Sequence, residues 1–465
     1  MLNVRKLYMK TILLNSILFI VASTAPAMQS GDFTYEINPL NKDTAIITGY
    51  TGSGGDVTIP STIDDQTVVS IGEDAFSRNE SLESITIPNS ILSVGDNAFV
   101  KCSGLTNVNF GSSVTSIGES AFSACGGLTE VTLPDSVTTI GDEAFYGCGS
   151  LTNITFGENM STLGQSPFAS SSLISITVPK GNQTYRSDNG VLFSKDRTTL
   201  VQWPPGREAG DYSIPDGIEL IASNAFHTCI GLTSISMPDS VTIIDNDAFS
   251  NCSGLTNVTF GSNISSIGQF AFSMCHGLTE ITIPDNVTQM KYGAFYHCTK
   301  LASVTLGEKL SMLEMHTFDA CIFENITIPE SVTFVEKYAF QQCANLKGVY
   351  FKGHAPDTDG GNVYYSSYSA INYYLPEKSG WTSSFGGRPA ISWNPNAQSS
   401  RVDTNGFTFS ITGNNNEWVK VETCDDLEGN NWYPLTTSQL SSGSASFSDP
   451  NWTNYPCRYY RMVMP

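Results

Sequence analysis

The sequence predicts a β solenoid: short parallel strands stacked coil on coil, irregular or short helical returns between them, and a small antiparallel β domain at the C-terminal end. Three observations predict it. Phe recurs at a step of 23 residues, as Phe76, Phe99, Phe122, Phe145 and Phe168, then as Phe226, Phe249, Phe272, Phe295 and Phe318, with Phe340 one residue early, which makes eleven copies. A Cys stands three residues after nine of these rings. Beyond residue 400 the period stops and alternating segments take over. A fixed period of this length is the mark of a stacked-repeat architecture, in which each unit buries its apolar face only against its neighbours.

Within one copy the apolar positions are Phe122, Cys125, Leu128, Val131, Leu133, Val137 and Ile140. Leu128-x-x-Val131-x-Leu133 matches the L-x-x-L-x-L core of leucine-rich repeats. Strand side chains alternate, so Val131 and Leu133 face inward together. The return runs through V-x-x-I-G-x-x-A-F, and its Ala-Phe pair is expected to seal the far side of the coil. At ~4.8 Å per stacked strand, eleven copies give a stack roughly 50 Å long.

Each remaining repeat position has a structural reading. Ser90, Ser113, Ser136, Asn159, Ser240, Asn263, Asn286 and Ser331 form a small polar column broken by Lys309, placed to satisfy turn backbone groups that would otherwise be unpaired. The cysteines Cys102, Cys125, Cys148, Cys229, Cys252, Cys275, Cys298, Cys321 and Cys343 share one position. They read as small buried hydrophobes; cross-coil disulfides and a metal site are the alternatives, although zinc would want paired ligands at C-x2-4-C spacing. Strand ends alternate Pro88, Gly111, Pro134, Gly157, Pro179 and then Pro238, Gly261, Pro284, Gly307, Pro329, so the duplicated unit is a pair of coils. Between them, near 180–214, "SDNGVLF…TTLVQWPP" predicts a hairpin with a D-N-G turn on the flank.

With these residues laid out, the chain resembles the BspA-type leucine-rich repeat family of secreted bacterial surface proteins. The match runs from about 31 to 398. It takes in "FTYEI…AIITGYTGSGGDVTIPSTIDDQTVVSIGEDAF", the "IGxxAFxxCxxLTxVTIP" copies, the hairpin and the closing "VYFKGHAPD…YYLPEKSGWTSSFGGRPAISWNP". The resemblance implies surface display and contact with a protein partner, with host or matrix proteins or another cell as its classes. The implied domains are a signal peptide at 1–27, an N-terminal cap at 28–72, repeats over 73–352, an aromatic-rich cap at 353–398 and a β domain at 399–465. The last resembles the fibronectin-like or sorting-type modules of secreted bacterial proteins. Its only cysteines, Cys424 and Cys457, lie in predicted strands of an oxidising compartment, and a disulfide between them is expected.

Composition narrows function further. The formal net charge is −21, which argues against nucleic acid or an anionic membrane as partner. Arg5, Lys6 and Lys10, the apolar run from Ile12 to Ala22 and the "APA" ending at Ala27 read as an export signal. The run is too short to span a bilayer, and no membrane span is expected in the mature chain.

No catalytic, cofactor or metal residue is assigned. The five histidines, His227, His276, His297, His316 and His354, fall at different repeat offsets and belong to no catalytic motif; they read as surface scatter. Asp357 to Asn362 has a calcium-loop flavour without the closing glutamate and reads as an acidic turn. Glu83, Glu130 and Glu280 lie on separated coils and offer no carboxylate pair for a glycan-active enzyme.

The outward strand positions, Thr86 to Thr327, are small and polar, whereas interface energetics favour Trp, Tyr and Arg. Any partner is therefore expected at Trp203 on the hairpin and at Tyr365 and Tyr368 in the cap. The reading is a non-enzymatic interaction or adhesion protein; a purely architectural envelope protein and, more remotely, the glycan-active enzyme are the other readings.

Overall fold

The computed structural model describes residues 27–208, 210–403, 406–427, 431–455 and 457–465. The expected signal segment 1–27 lies, but for Ala27, outside them. The repeats form a solenoid whose turns recur every 23 residues or so. Strands such as Glu130–Thr132, Asn153–Thr155 and Ser175–Thr177 pair in parallel, with Val131 opposite Ile154 and Ile176. These three side chains are buried while Thr132 and Thr177 face out, as the alternation of a half-buried strand requires.

The returns take the irregular of the two forms expected. They hold no helix; the one helical segment among the described residues is the 3-10 turn Trp452–Asn454. Instead, two-residue strands within them build a second parallel sheet. Ser93–Val94, Ser116–Ile117, Thr139–Ile140 and Thr162–Leu163 pair in sequence, and Gln66–Ile71 starts the row. The V-x-x-I stretch of each return, as from Val137 to Ile140, follows a turn and ends in such a strand.

Behind this sheet the Ala-Phe pairs seal the core as expected. Successive rings stack: Phe99 on Phe122 at 5.0 Å and 5°, Phe249 on Phe272 at 5.0 Å and 4°. Three other rings join the ladder, Tyr50 under Phe76, Trp203 under Phe226 and Tyr364 over Phe340, so eleven rungs become fourteen. Most ladder Phe N–H groups also donate to the carbonyl just before the next ring, as from Phe99 to Ala121 at 2.7 Å and from Phe295 to Thr317 at 2.9 Å.

Most of the column groups are satisfied locally, although the Ser90 hydroxyl is buried without a partner. Each repeat thiol donates to the carbonyl of the ladder ring one coil back, Cys125 to Phe99 O at 3.2 Å and Cys275 to Phe249 O at 3.1 Å. All nine are buried and free. In the polar column, Ser136 Oγ donates to Val114 O at 2.6 Å and Asn263 Nδ2 to Asp239 O at 2.8 Å. The Pro–Gly alternation has a steric cause. A Cβ on Gly111 or Gly261 would run into the carbonyl oxygen of Pro88 or Pro238 on the coil before, so alternate coils can close only on glycine.

The hairpin forms as read. Tyr185–Asp188 pairs antiparallel with Val191–Ser194, and Asn189 and Gly190 at the tip have positive φ, the conformation a two-residue hairpin turn demands. A third strand, Thr199–Gln202, runs back and then pairs in parallel with Leu220–Ile221. The second sheet thus ends at Thr162–Leu163 and starts anew at the hairpin. The apolar core divides at the same place into two clusters, one closed by Phe168 and Ile176, the other opening with Phe193 and Trp203.

At the C-terminal end the parallel sheet continues past Gly348–Phe351 into Ile371–Tyr374 and Arg388–Ser392. Two three-stranded antiparallel sheets follow. Gly406–Thr412 is the centre of one and Trp418–Cys424 of the other. This module shares a core with the solenoid, in which Tyr350, Tyr373 and Trp393 meet Phe409, Val419, Val421 and Phe447. Tyr350 and Tyr373 continue the outward row of Thr327, so the large rings on the strand face serve to seat the module.

Candidate interaction surface

Trp203 does not belong to a surface site. It is 2% exposed and stacks on Phe226 at 5.7 Å. The physical reason is its place in the chain: 203 lies one full repeat before 226, so its ring fills the ladder position of the hairpin coil. Tyr365 and Tyr368 are on the surface, 53% and 75% exposed. The remaining cap aromatics are structural. Trp381 lies flat on Tyr374 and tilts against Phe351, closing the end of the core. Cys424 and Cys457 are both free thiols here. Cys424 is buried opposite Tyr459, and Cys457, two residues before that tyrosine, is exposed and donates to Asp425 O.

Tyr365 is the end of a longer feature. On the flank formed by the returns, rings touch from coil to coil. Phe270 meets Tyr292 at 5.0 Å and Tyr296 at 5.7 Å, and both tyrosines meet His316, at 5.4 and 6.0 Å. His316 stacks on Tyr338 at 5.5 Å, which meets Tyr365 edge-on at 5.9 Å. His297 lies on Tyr296 at 4.1 Å. The result is one aromatic strip across the last five coils, half-buried along its length and exposed at Tyr365.

The backbone makes this strip informative. Two residues before each ladder Phe the return takes positive φ, which small polar residues and glycine tolerate best. In earlier coils that position holds Asp74, Asn97, Ser120, Glu143, Ser166, Asn224 and Asp247. In the later ones it holds Phe270, Gly293, His316 and Tyr338, with φ of 52°, 61°, 58° and 63°. A bulky ring there is a conformational outlier, and such strain concentrates at functional positions.

Polar groups fix the strip from beneath. His316 Nδ1 lies 2.8 Å from Asp319 Oδ2, which also accepts from Gln341 Nε2 at 2.9 Å. Burial raises the Asp319 pKa, and the His316 contact opposes that rise. Glu314 and Glu336 each spend one carboxylate oxygen on a backbone N–H, of Tyr292 at 2.8 Å and Met315 at 2.7 Å.

The histidines are thus not all scatter. His297 and His316 belong to the strip, whereas His276 reaches Thr299 elsewhere. The offset comparison missed them because a residue just after one ladder ring lies beside a residue just before the next. The acidic turn reads as expected, with Asp359 accepting the N–H groups of Lys337 and Gly361.

A solenoid of L-x-x-L-x-L coils, with a non-repeating aromatic strip on one flank, defines a leucine-rich repeat protein. The BspA type leucine rich repeat region model matches residues 69–189 and 213–355 in six copies, and the chain belongs to that family. No curated protein matches it. Among solved structures it is similar to the pneumococcal vaccine antigen PcpA, at 22% identity over 76% of this chain and 94% of that one, with a TM-score of 0.57. A leucine-rich repeat protein from Eubacterium ventriosum is 21% identical over 67% and 93%, with a TM-score of 0.51. These two share the fold. A leucine rich cell surface protein from Faecalibacterium prausnitzii is 28% identical over 70% and 95%, with a TM-score of 0.46. No helix among the described residues is long and apolar enough to cross a membrane.

Proposed function

We propose that this is an exported bacterial surface protein that binds a protein partner through the aromatic flank of its last coils and catalyses no reaction. The observation that carries the reading is that rings occupy this backbone position, as Phe270, His316 and Tyr338, only in those coils, where the earlier ones hold Asp, Asn, Ser or Glu. Stability alone favours Asn, Asp or Gly there, and tyrosine is a residue that interface energetics favour. Membership of the BspA-type family and the basic-then-apolar start of the sequence support export. A disulfide between Cys424 and Cys457 would suit that compartment.

The test is binding of the purified protein to immobilised matrix proteins and glycans. Tyr365→Ala and Tyr368→Ala should weaken whatever interaction is found, with thermal stability unchanged. Thr132→Arg and Thr259→Arg, on the strand face, should leave it intact. The reverse pattern would move the site to the strands.

A further inference from the structure

Resting on the strip as the binding surface, we infer that its ligand is an extended, proline-rich segment of a protein in the polyproline II conformation. Four features of the strip point to this.

The first is the backbone. Phe270 N–H donates to Tyr292 O at 2.9 Å, Gly293 to Met315 O at 3.0 Å and Tyr338 to Asn362 O at 2.9 Å. These groups are spent on neighbouring coils, so a peptide cannot add as a further strand, and recognition must come from side chains.

The second is donor balance. Donors stand along the strip: the hydroxyls of Tyr338 and Tyr365 and the ring of His297, with Lys291 and Lys337 next in sequence to Tyr292 and Tyr338. Of the carboxylates beneath the strip, Glu314, Glu336 and Asp319 each already receive an N–H group of this chain on one oxygen. A proline segment offers free carbonyl acceptors and no N–H donor, and polyproline II forms no internal hydrogen bonds. A sugar chain presents hydroxyls that need acceptors as well as donors, and cellohexaose represents it in the test below.

The third is charge. Two lysines, Lys291 and Lys337, stand among three carboxylates, Glu314, Glu336 and the buried Asp319, so the strip carries little of the net charge of −21 and favours no strongly charged partner.

The fourth is dimension. Polyproline II advances about 3.1 Å per residue and about 9.3 Å per turn, close to two coils at ~4.8 Å each. Rings on successive coils would meet successive half-turns of such a ligand. Four coil steps, roughly 19 Å, accommodate about six residues. Preformed polyproline II segments dock on aromatic rows with little loss of entropy.

The experiment is calorimetric titration of the full protein with an acetylated, amidated proline nonamer, beside a Gly-Ser nonamer and cellohexaose. The proline nonamer alone should bind. Tyr338→Asn and Tyr365→Ala, each confirmed folded by its melting curve, should lower its affinity at least tenfold, and Thr259→Arg should leave it unchanged. Absence of binding, equal binding by the folded strip variants, or binding of cellohexaose alone would each overturn the inference. The broader reading fails separately, only if those variants keep their affinity for the matrix ligand of the preceding test.

Discussion

Ser166 Oγ lies 2.8 Å from His227 Nδ1 across 61 residues of chain. Elsewhere the returns are joined coil to coil by backbone bonds. Here Trp203-Pro204-Pro205 supplies only part of a return, and its prolines have no N–H to give. Side chains bridge the gap in one direction. Asn251 Nδ2 approaches His227 Nε2 at 3.4 Å, so Nδ1 carries the proton and donates to Ser166; Ser166 donates to Asn224 Oδ1, and Asn224 Nδ2 donates to Gln165. On one side of this clasp opens a cleft of about 890 Å³, lined by Tyr146, Arg207, Ile230 and Met274 among others.

Burial lowers the His227 pKa below its ordinary value of 6.5. The unfolded chain therefore binds the proton more readily than the folded one, and stability falls with pH in that window. The clasp's contribution should be complete above about 6.5 and decline as pH drops through the lowered folded value. Hydrogen exchange at residues 166–170 and 224–228 should quicken on acidification, and His227→Gln should remove that dependence. Equal acid sensitivity in wild type and variant would place the effect elsewhere.

The thiol column should be chemically silent. Burial pushes the Cys102 thiol up to about 11 and those of Cys148 and Cys298 to about 12, so little thiolate exists at neutral pH. With a thiol reagent on native protein, the exposed Cys457 should react fast and the repeat cysteines only after unfolding. No fast thiol, with nine released on denaturation, would indicate the Cys424–Cys457 disulfide. Cys252→Ala should cost on the order of 1 kcal/mol, as for a small core truncation.

Phe249 stacks between Phe226 and Phe272, at 4.7 and 5.0 Å. Phe249→Ala removes both ring contacts and leaves a cavity between coils, a loss of ~3–5 kcal/mol. Repeat stability depends on neighbour interfaces, so exchange should quicken in the flanking coils too. A loss confined to residue 249's own coil would contradict that coupling.

Much of this architecture is legible because each repeat position does one job in every copy. The ladder Phe, the thiol and the polar column could be read from spacing alone. Trp203 shows where such reading stops. Its distance from Phe226 is one repeat, yet the surrounding residues spell a hairpin, and a lone Trp beside a turn looks like a surface anchor. The strip was hidden for a different reason. His297 follows one ladder ring and His316 precedes the next, so linear offsets separate residues that the returns bring together. The second sheet left no periodic signature, since a two-residue strand has no alternation to display.

The C-terminal module should depend on one hydroxyl. Tyr350 Oη accepts the Trp418 N–H at 2.8 Å, and Trp393 Nε1 donates to Trp418 O at 3.2 Å. Tyr350→Phe keeps the ring and strands a buried donor, which costs about 1–3 kcal/mol. The expected result is faster proteolysis of the module at an unchanged solenoid melting temperature. Unchanged proteolysis would mean that ring burial alone seats the module.

Tyr338 allows stability and binding to be pulled apart. Its φ of 63° suits Asn better than Tyr, and relief of that strain is worth on the order of 1 kcal/mol. Against this, Tyr338→Asn gives up the contacts with His316 at 5.5 Å and Tyr365 at 5.9 Å. Two aromatic pairs contribute together about 1–3 kcal/mol beyond burial, so the relief of strain offsets part of the loss and leaves a deficit of roughly 0–2 kcal/mol. The variant should therefore melt within a few degrees of wild type, in contrast to Phe249→Ala, while partner binding drops at least tenfold. A Tyr338→Asn protein that unfolds like Phe249→Ala would show that the ring is a structural member of the coil, and the argument from backbone strain would fail with it.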